Sequence, residues 1–204
     1  MSEDGVGECW QESTLGVEGC QRCPDLVESR SQIVDGVGPA DADLLFVGEA
    51  PGSTEDQEGE PFIGRSGQVL DEALQEAGLD RADVRFTNCA RCRPPENRDP
   101  TVAELENCRP YLDREIAAVD PALLVTLGKV PAEHLLDRSV AVTSAAGDIF
   151  EYPNPIGEES WPVLVSVHPA ATLYDPSQGE VFTDTIRAAA EYAGDGGQST
   201  LGEY

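Results

Sequence analysis

The feature that most constrains this chain is the alternation of short apolar runs with longer stretches of helical periodicity. Residues 44–47, 84–87, 122–127 and 163–167 each form a compact apolar run bounded by turn residues, the pattern of a buried strand. Residues 66–77, 101–119, 131–136 and 182–193 carry helical patterns instead. The second of these opens on a Thr101/Glu104 capping box, and Pro110 is expected to kink or divide it. Strands that alternate with helices need crossover connections, so the expected fold is α/β, with a mostly parallel sheet covered on both faces.

The 204 residues suit one domain able to bury its own core, and a 40% hydrophobic content disfavours disorder. Residues 1–19 and the polar tail 194–204 lack periodicity and are expected to be mobile, leaving 20–193 as the folded unit. No apolar run approaches the ~20 residues of a spanning helix. The first residues (Met1, Ser2, Glu3, Asp4) are acidic where a secretion signal would be basic. Membrane insertion and secretion are therefore not expected, and the reading is a cytoplasmic monomer.

The formal charge is −26, and Lys129 is the only lysine among 13 basic residues. Many carboxylates with almost no lysine resemble the surface of a halophilic protein, kept hydrated in concentrated salt. Molar salt shrinks the Debye length to ~3 Å, so net charge alone does not exclude a polyanionic partner. Its distribution says more. Residues 81–114 hold Arg81, Arg85, Arg91, Arg93, Arg98, Arg109 and Arg114, enough to outweigh the acids of the same stretch. That stretch could meet a phosphate backbone, or its arginines could simply pair with neighbouring carboxylates.

Each strand is followed at once by special residues: Gly48-Glu49-Ala50-Pro51-Gly52, then Asn88, then Gly128-Lys129, then His168-Pro169-Ala170-Ala171. In open α/β sheets ligands bind beyond the carboxyl ends of the strands, so these segments should converge on one cleft. The first lacks both the P-loop and the dinucleotide-binding glycine patterns, and its glycines and proline suit a tight turn approaching a ligand.

Among the cysteines, Cys20 and Cys23 form a CxxC followed by proline, and Cys92 and Cys108 lie farther along. The context of a redox CxxC, opening a helix after a strand, is missing, and a reducing cytosol disfavours disulfides. Four thiolates could hold zinc or an iron–sulfur cluster, and spacing does not choose between them; buried, unligated thiols are the plainer alternative. Cys9 and Cys89 are left over and are not expected to be ligands.

Taken in order, CQRCP, GEAPG, GEPFIGRSGQVLDEAL, TNCARCRPPENRDPT, ENC, VTLG and VHPAATL resemble the family 4 uracil-DNA glycosylases, the iron–sulfur branch found in archaea and thermophilic bacteria. The resemblance covers roughly residues 20–190. It implies a three-layer α/β/α fold with a four-stranded parallel sheet, a [4Fe–4S] cluster on Cys20, Cys23, Cys92 and Cys108, and excision of uracil from uracil-containing DNA. With the composition, it points to a halophilic archaeon.

On this resemblance Phe62 matches the aromatic that stacks on the flipped base, with a plain core residue as the alternative. Asn88 matches the pyrimidine reader, whose amide can pair with both O4 and N3–H of uracil, whereas cytosine would leave it mismatched. His168 matches the histidine expected to bond O2 as negative charge develops there. His134, the other histidine, reads as structural. In the best-known branch an aspartate orients the water, and the corresponding position here is Ala50. Glu49 and Glu55 are the remaining carboxylates, with Glu49 favoured, and backbone N–H groups around Gly48, Glu49 and Ala50 could hold uracil oxygens. Arg91 and Arg93 are expected to contact phosphates. Tyr174 stands where the family often has arginine, so Leu173 and Tyr174 could wedge the gap left by the flipped base. The alternative from another class is a non-catalytic metal-cluster module that recognises damaged DNA. The joint presence of Phe62, Asn88 and His168 argues for the enzyme.

Overall fold

The computed structural model describes residues 15–155 and 160–194. Its sheet contains β1 (Leu44–Gly48), β2 (Arg85–Asn88), β3 (Leu123–Leu127), β4 (Ile149–Pro153) and β5 (Ser160–Ser166), in the order β2-β1-β3-β5-β4. The four expected strands are present and mutually parallel, in register Gly48 with Asn88 and Leu127 with Ser166. Beyond the expectation, β4 adds an antiparallel edge to β5. Of its side chains only Tyr152 is buried, so it never forms the apolar run that marks the central strands.

The helices are α1 (Pro24–Ser29), α2 (Ser53–Glu58), α3 (Arg65–Glu76), α4 (Val102–Val119), α5 (Lys129–Leu136), α6 (Val142–Ala145), α7 (Pro169–Thr172) and α8 (Ser177–Gly194). Because successive side chains of a strand point to opposite faces, β1 divides itself between two cores. Leu44 and Phe46 meet Leu70 and Leu74 of α3 and Phe182 and Ile186 of α8, whereas Leu45 and Val47 meet Leu112 and Ile116 of α4 and Leu135 of α5. This is the expected three-layer α/β/α arrangement. Across the first core the rings of Phe46 and Phe86 stack at 5.5 Å.

Helix α4 runs through Pro110 without dividing. Proline costs the helix one hydrogen bond, to the carbonyl four residues back; both Pro110 and Glu106 are exposed, so water can meet that carbonyl. The segment before residue 20 is also partly tied down, since Val17 is buried and its N–H bonds the Asp35 carboxylate at 3.1 Å. The expectations for residues 1–14, including Cys9, and for 195–204 lie outside the described residues.

Candidate active site

The carboxyl ends of β1, β2 and β5 converge as expected. Glu49, Ala50, Gly52, Glu55, Phe62, Ser66, Asn88 and His168 line one cavity of about 170 Å³. Two glycines make the convergence possible. A Cβ on Gly48 would overlap both the Phe62 ring and Asn88 Oδ1, so only glycine lets the two approach across the end of β1. Gly128 has φ +104, and a Cβ there would lie 3.0 Å from His168 Cβ.

Phe62 is both wall and core. Its ring is tilted against Phe86 at 6.0 Å, and its backbone has φ 56, the left-handed region a bulky residue enters only when its surroundings enforce it. Glu55 supplies part of that enforcement. It is buried, and its Oε1 accepts from the N–H of Gly64 at 2.8 Å, bracing the loop around Phe62 against α2. A brace of this kind leaves Glu55 less free to handle water than Glu49.

Asn88 is 3% exposed, and its side-chain amide has no partner among the described residues. The amide is not among the buried unpaired side-chain atoms, so it reaches the solvent of the cavity, where its donor and acceptor stand open to a complementary ligand. His168 caps α7, its Nδ1 accepting from Ala170 N–H at 3.1 Å. That bond fixes the tautomer, so Nε2 carries the proton and is the donor left over. Burial pushes the His168 pKa down, favouring the neutral ring. Glu49 is held at the chain's turn by its own carbonyl, which accepts from Ala90 N–H at 2.9 Å. Burial, and then the like charge of neighbouring Asp99, raise its pKa to about 7.

Leu173 and Tyr174 follow α7 directly, 40% and 86% exposed, near the cavity mouth in sequence. Arg91 is a correction: it is 2% exposed, with ion pairs to Glu115 at 2.6 Å and Asp35 at 2.7 Å, so it has no guanidinium to offer a phosphate. Arg93 stays nearer the surface, its Nε donating to Asn97 at 2.7 Å. Most of the arginine-rich stretch is likewise committed: Arg81 to Asp71, Arg85 to Glu115, Arg98 to Glu104 and Arg109 to Asp113. Arg65, by contrast, is exposed with no partner among the described residues, and Lys129 is 67% exposed and only 3.8 Å from Glu133. Sequence reasoning missed Ser66 and Asp99. The first lay hidden in a helix start, and the second is brought beside Glu49 only by the fold.

Cys20, Cys23, Cys92 and Cys108 border a second cavity, together with Arg30, Asn107 and Tyr111. Donors converge on their sulfurs: Arg30 Nη1 on Cys92 Sγ at 3.0 Å, the Arg91 N–H on Cys108 Sγ at 3.4 Å, and Asn107 Nδ2 on Cys23 Sγ at 3.5 Å. Burial raises the pKa of Cys23 and Cys92, and that of Cys108 to about 11. Among the described residues no group of three or more His, Cys, Asp or Glu side chains is placed to hold a metal ion. Cys89 is wholly buried in the core and does not border that cavity. His134 is also remote from the site; its Nε2 is buried and unpaired, and burial lowers its pKa to about 4.

The chain matches the model of the Uracil DNA glycosylase superfamily over residues 36–191. It is 38% identical to a type-4 uracil-DNA glycosylase of Archaeoglobus fulgidus over 196 residues, covering 92% of this chain and 94% of the relative. A type-4 uracil-DNA glycosylase of Thermotoga maritima is 36% identical over 79% of the chain and 81% of its own length. A type-5 uracil-DNA glycosylase of Pyrobaculum aerophilum is 30% identical over 86% of the chain and 89% of its own length.

Proposed function

Because the chain belongs to the uracil DNA glycosylase superfamily, we propose that it hydrolyses the N-glycosidic bond of uracil in DNA, releasing free uracil and leaving an abasic site. The observation that carries this reading is the unpaired Asn88 amide, sharing one small cavity with the Phe62 ring and a neutral His168. A base must leave the stack to reach such a cavity, at a cost of a few kcal/mol. Stacking on Phe62 and two hydrogen bonds to Asn88 offset that cost for uracil. Cytosine presents a donor where uracil has O4, and leaves the amide mismatched.

As the bond breaks, its electron pair moves onto the base and the sugar becomes oxocarbenium-like. The Nε2–H of His168 then meets O2 as negative charge gathers there, an interaction stronger in the transition state than in the ground state. A neutral donor suits this task, because it need not be desolvated as a cation first. Glu49 holds the water that adds to C1′ and takes its proton, and backbone N–H groups around Gly48 and Ala50 meet the uracil oxygens. Leu173 and Tyr174 fill the gap in the duplex, and Arg93, Arg65 and Lys129 meet phosphates on either side.

Cys20, Cys23, Cys92 and Cys108, which border one cavity and receive N–H donors on three of their sulfurs, would hold a [4Fe–4S] cluster. When bound it would contribute thiolate bonds that tie the N-terminal CxxC to the loop and helix far along the chain. The acidic, lysine-poor composition supports a halophilic source, with the chain working as a monomer in a salt-rich cytoplasm.

The deciding experiment incubates the protein with a labelled oligonucleotide carrying one uracil and then cleaves abasic sites with alkali. Cleavage at uracil, with none at cytosine or thymine, is expected. Binding of the uracil strand without cleavage would favour a recognition module. Iron analysis of anaerobically purified protein tests the cluster separately, and one stoichiometric zinc in colourless protein would overturn it.

A further inference from the structure

We propose, resting on the glycosylase reading, that Asp56 is a positioning residue for uracil recognition: its carboxylate latches α2 to the cysteine-bearing N-terminal segment and so fixes the loop that presents Phe62 to the base. Asp56 does not itself line the uracil cavity.

Asp56 is 1% exposed, and among the described residues no arginine or lysine pairs with it. Its carboxylate is met by backbone instead, accepting from the Ser31 N–H at 2.8 and 3.0 Å and from the Gln32 N–H at 3.5 Å. Gln32 closes the latch from the other direction, its Nε2 donating to the Asp56 carbonyl at 3.2 Å and the Gln57 carbonyl at 2.8 Å. Those carbonyls belong to the last turn of α2, where the helix leaves acceptors unmet. A buried carboxylate is tolerated only when hydrogen-bonded, so this one fixes the backbone it accepts from. Segment and helix are held together.

Each side of the latch is anchored. Arg30, directly before Ser31, donates from Nη1 to Cys92 Sγ at 3.0 Å and from Nη2 to the Cys20 carbonyl at 2.7 Å. Three residues beyond Ser31, the Val34 N–H bonds the Arg91 carbonyl at 2.8 Å. The stretch 30–34 is thereby tied to the loop that carries Cys92. On α2, Glu55 adjoins Asp56, and neighbouring helical side chains diverge by about 100°. One carboxylate therefore reaches the N-terminal segment while the other reaches the cavity. Glu55 Oε1 accepts from the Gly64 N–H at 2.8 Å, and a Cβ on Gly52 or Gly64 would come within 2.7 or 2.9 Å of the Glu55 carboxylate. That close fit sets the loop before α3. A Cβ on Gly67 would overlap the Phe62 carbonyl, so the loop also presses on the first turn of α3. Phe62 keeps its φ of 56 only while these neighbours enforce it, and Asp56 fixes the helix from which Glu55 does so.

The test compares wild type with Asp56→Asn and Gln32→Ala in the whole chain. An amide at 56 keeps the shape but turns one acceptor into a donor that opposes the Ser31 N–H. Single-turnover uracil release over a series of enzyme concentrations gives a half-saturating concentration and a limiting rate, and anisotropy gives affinity for undamaged DNA. Stacking on Phe62 acts on ground and transition states alike, so Asp56→Asn should raise the half-saturating concentration by about tenfold with the limiting rate little changed. Affinity for undamaged DNA should stay at the wild-type value. Gln32 is exposed and its loss leaves the carboxylate contacts in place, so Gln32→Ala should shift half-saturation in the same direction by less. If Asp56→Asn lowers the melting temperature but leaves half-saturation unmoved, or weakens uracil-containing and undamaged DNA equally, Asp56 only supports the fold. Should Asp56→Asn fail to fold, an unmoved half-saturation in Gln32→Ala overturns the role. Wild-type protein that releases no uracil would overturn the glycosylase reading and this role with it, whereas active wild type beside unaltered variants overturns the role alone.

Discussion

His168 and Glu49 are tuned in opposite ways by the same burial, and each carries a prediction. Desolvation disfavours the charged form, so the histidine is kept neutral and the glutamate is kept protonated to higher pH. His168→Ala removes a donor that matters chiefly as the leaving group gains charge, while Phe62 and Asn88 remain to hold the flipped base. Single-turnover release should fall by ~10²-fold or more with little change in affinity for uracil-DNA. A proportional loss of binding would show that His168 holds the ground state instead. For Glu49 the sign is fixed by linkage. With a folded value of about 7 against an ordinary 4.5, the folded protein binds more protons than the unfolded chain between those values, so this residue's contribution to stability falls as pH rises through that window. Glu49→Gln should therefore gain melting temperature over wild type at pH 8 by more than at pH 5, while losing uracil release. Thermal melts at the two pH values, beside the excision assay, check both halves.

At the scale of elements, the buried cluster joining β2 to α4 separates stability from DNA contact. Glu115 is 1% exposed and receives Arg91 Nη2 at 2.6 Å, Arg85 Nε at 2.7 Å and the Thr87 hydroxyl at 2.7 Å. Arg91→Ala leaves that carboxylate undercompensated in the interior and should cost about 3–5 kcal/mol in urea unfolding. Protein that remains folded should bind undamaged DNA as wild type does; a selective loss of affinity would return Arg91 to the interface. The same cluster shows what was legible from sequence. The four parallel strands and the helices over 66–77 and 131–136 were readable because burial on both faces writes itself as unbroken apolar runs and regular periods. Glu49, Ala50, Asn88 and His168 were readable because each lies at the carboxyl end of a strand, and Phe62 through its motif. Arg91 was misread because an arginine in a basic stretch looks the same whether its partner is a phosphate or a carboxylate 24 residues away. β4 went unread because a mostly exposed edge strand has no apolar run, and Asp99 because no local pattern records a neighbour brought across two loops.

For the whole molecule the problem is how a chain of charge −26 approaches a polyanion. In dilute buffer the two repel over tens of ångströms, since the Debye length is ~30 Å at 0.01 M. At molar salt it shrinks to ~3 Å, and only charges in contact with a phosphate still count. Nearly all the arginines of the 81–114 stretch are committed within the chain, so the contacts that remain at the cleft are few. Arg65 adjoins the cavity residue Ser66, and Lys129 adjoins Gly128, which packs on His168. Each phosphate contact adds about −0.9 to the slope of log affinity against log salt for duplex DNA. A small set of contacts predicts a shallow slope, and excision that persists at molar KCl. Arg65→Ala and Lys129→Ala should each weaken binding to uracil-containing and undamaged DNA alike and flatten the slope by about 0.9. Fluorescence anisotropy across a KCl series, read beside the excision rate at each salt, checks this. An enzyme active only in dilute buffer would contradict the carboxylate surface as an adaptation to salt. Slopes unchanged in both variants would mean that phosphates are met elsewhere, with Arg93 the next cation to remove.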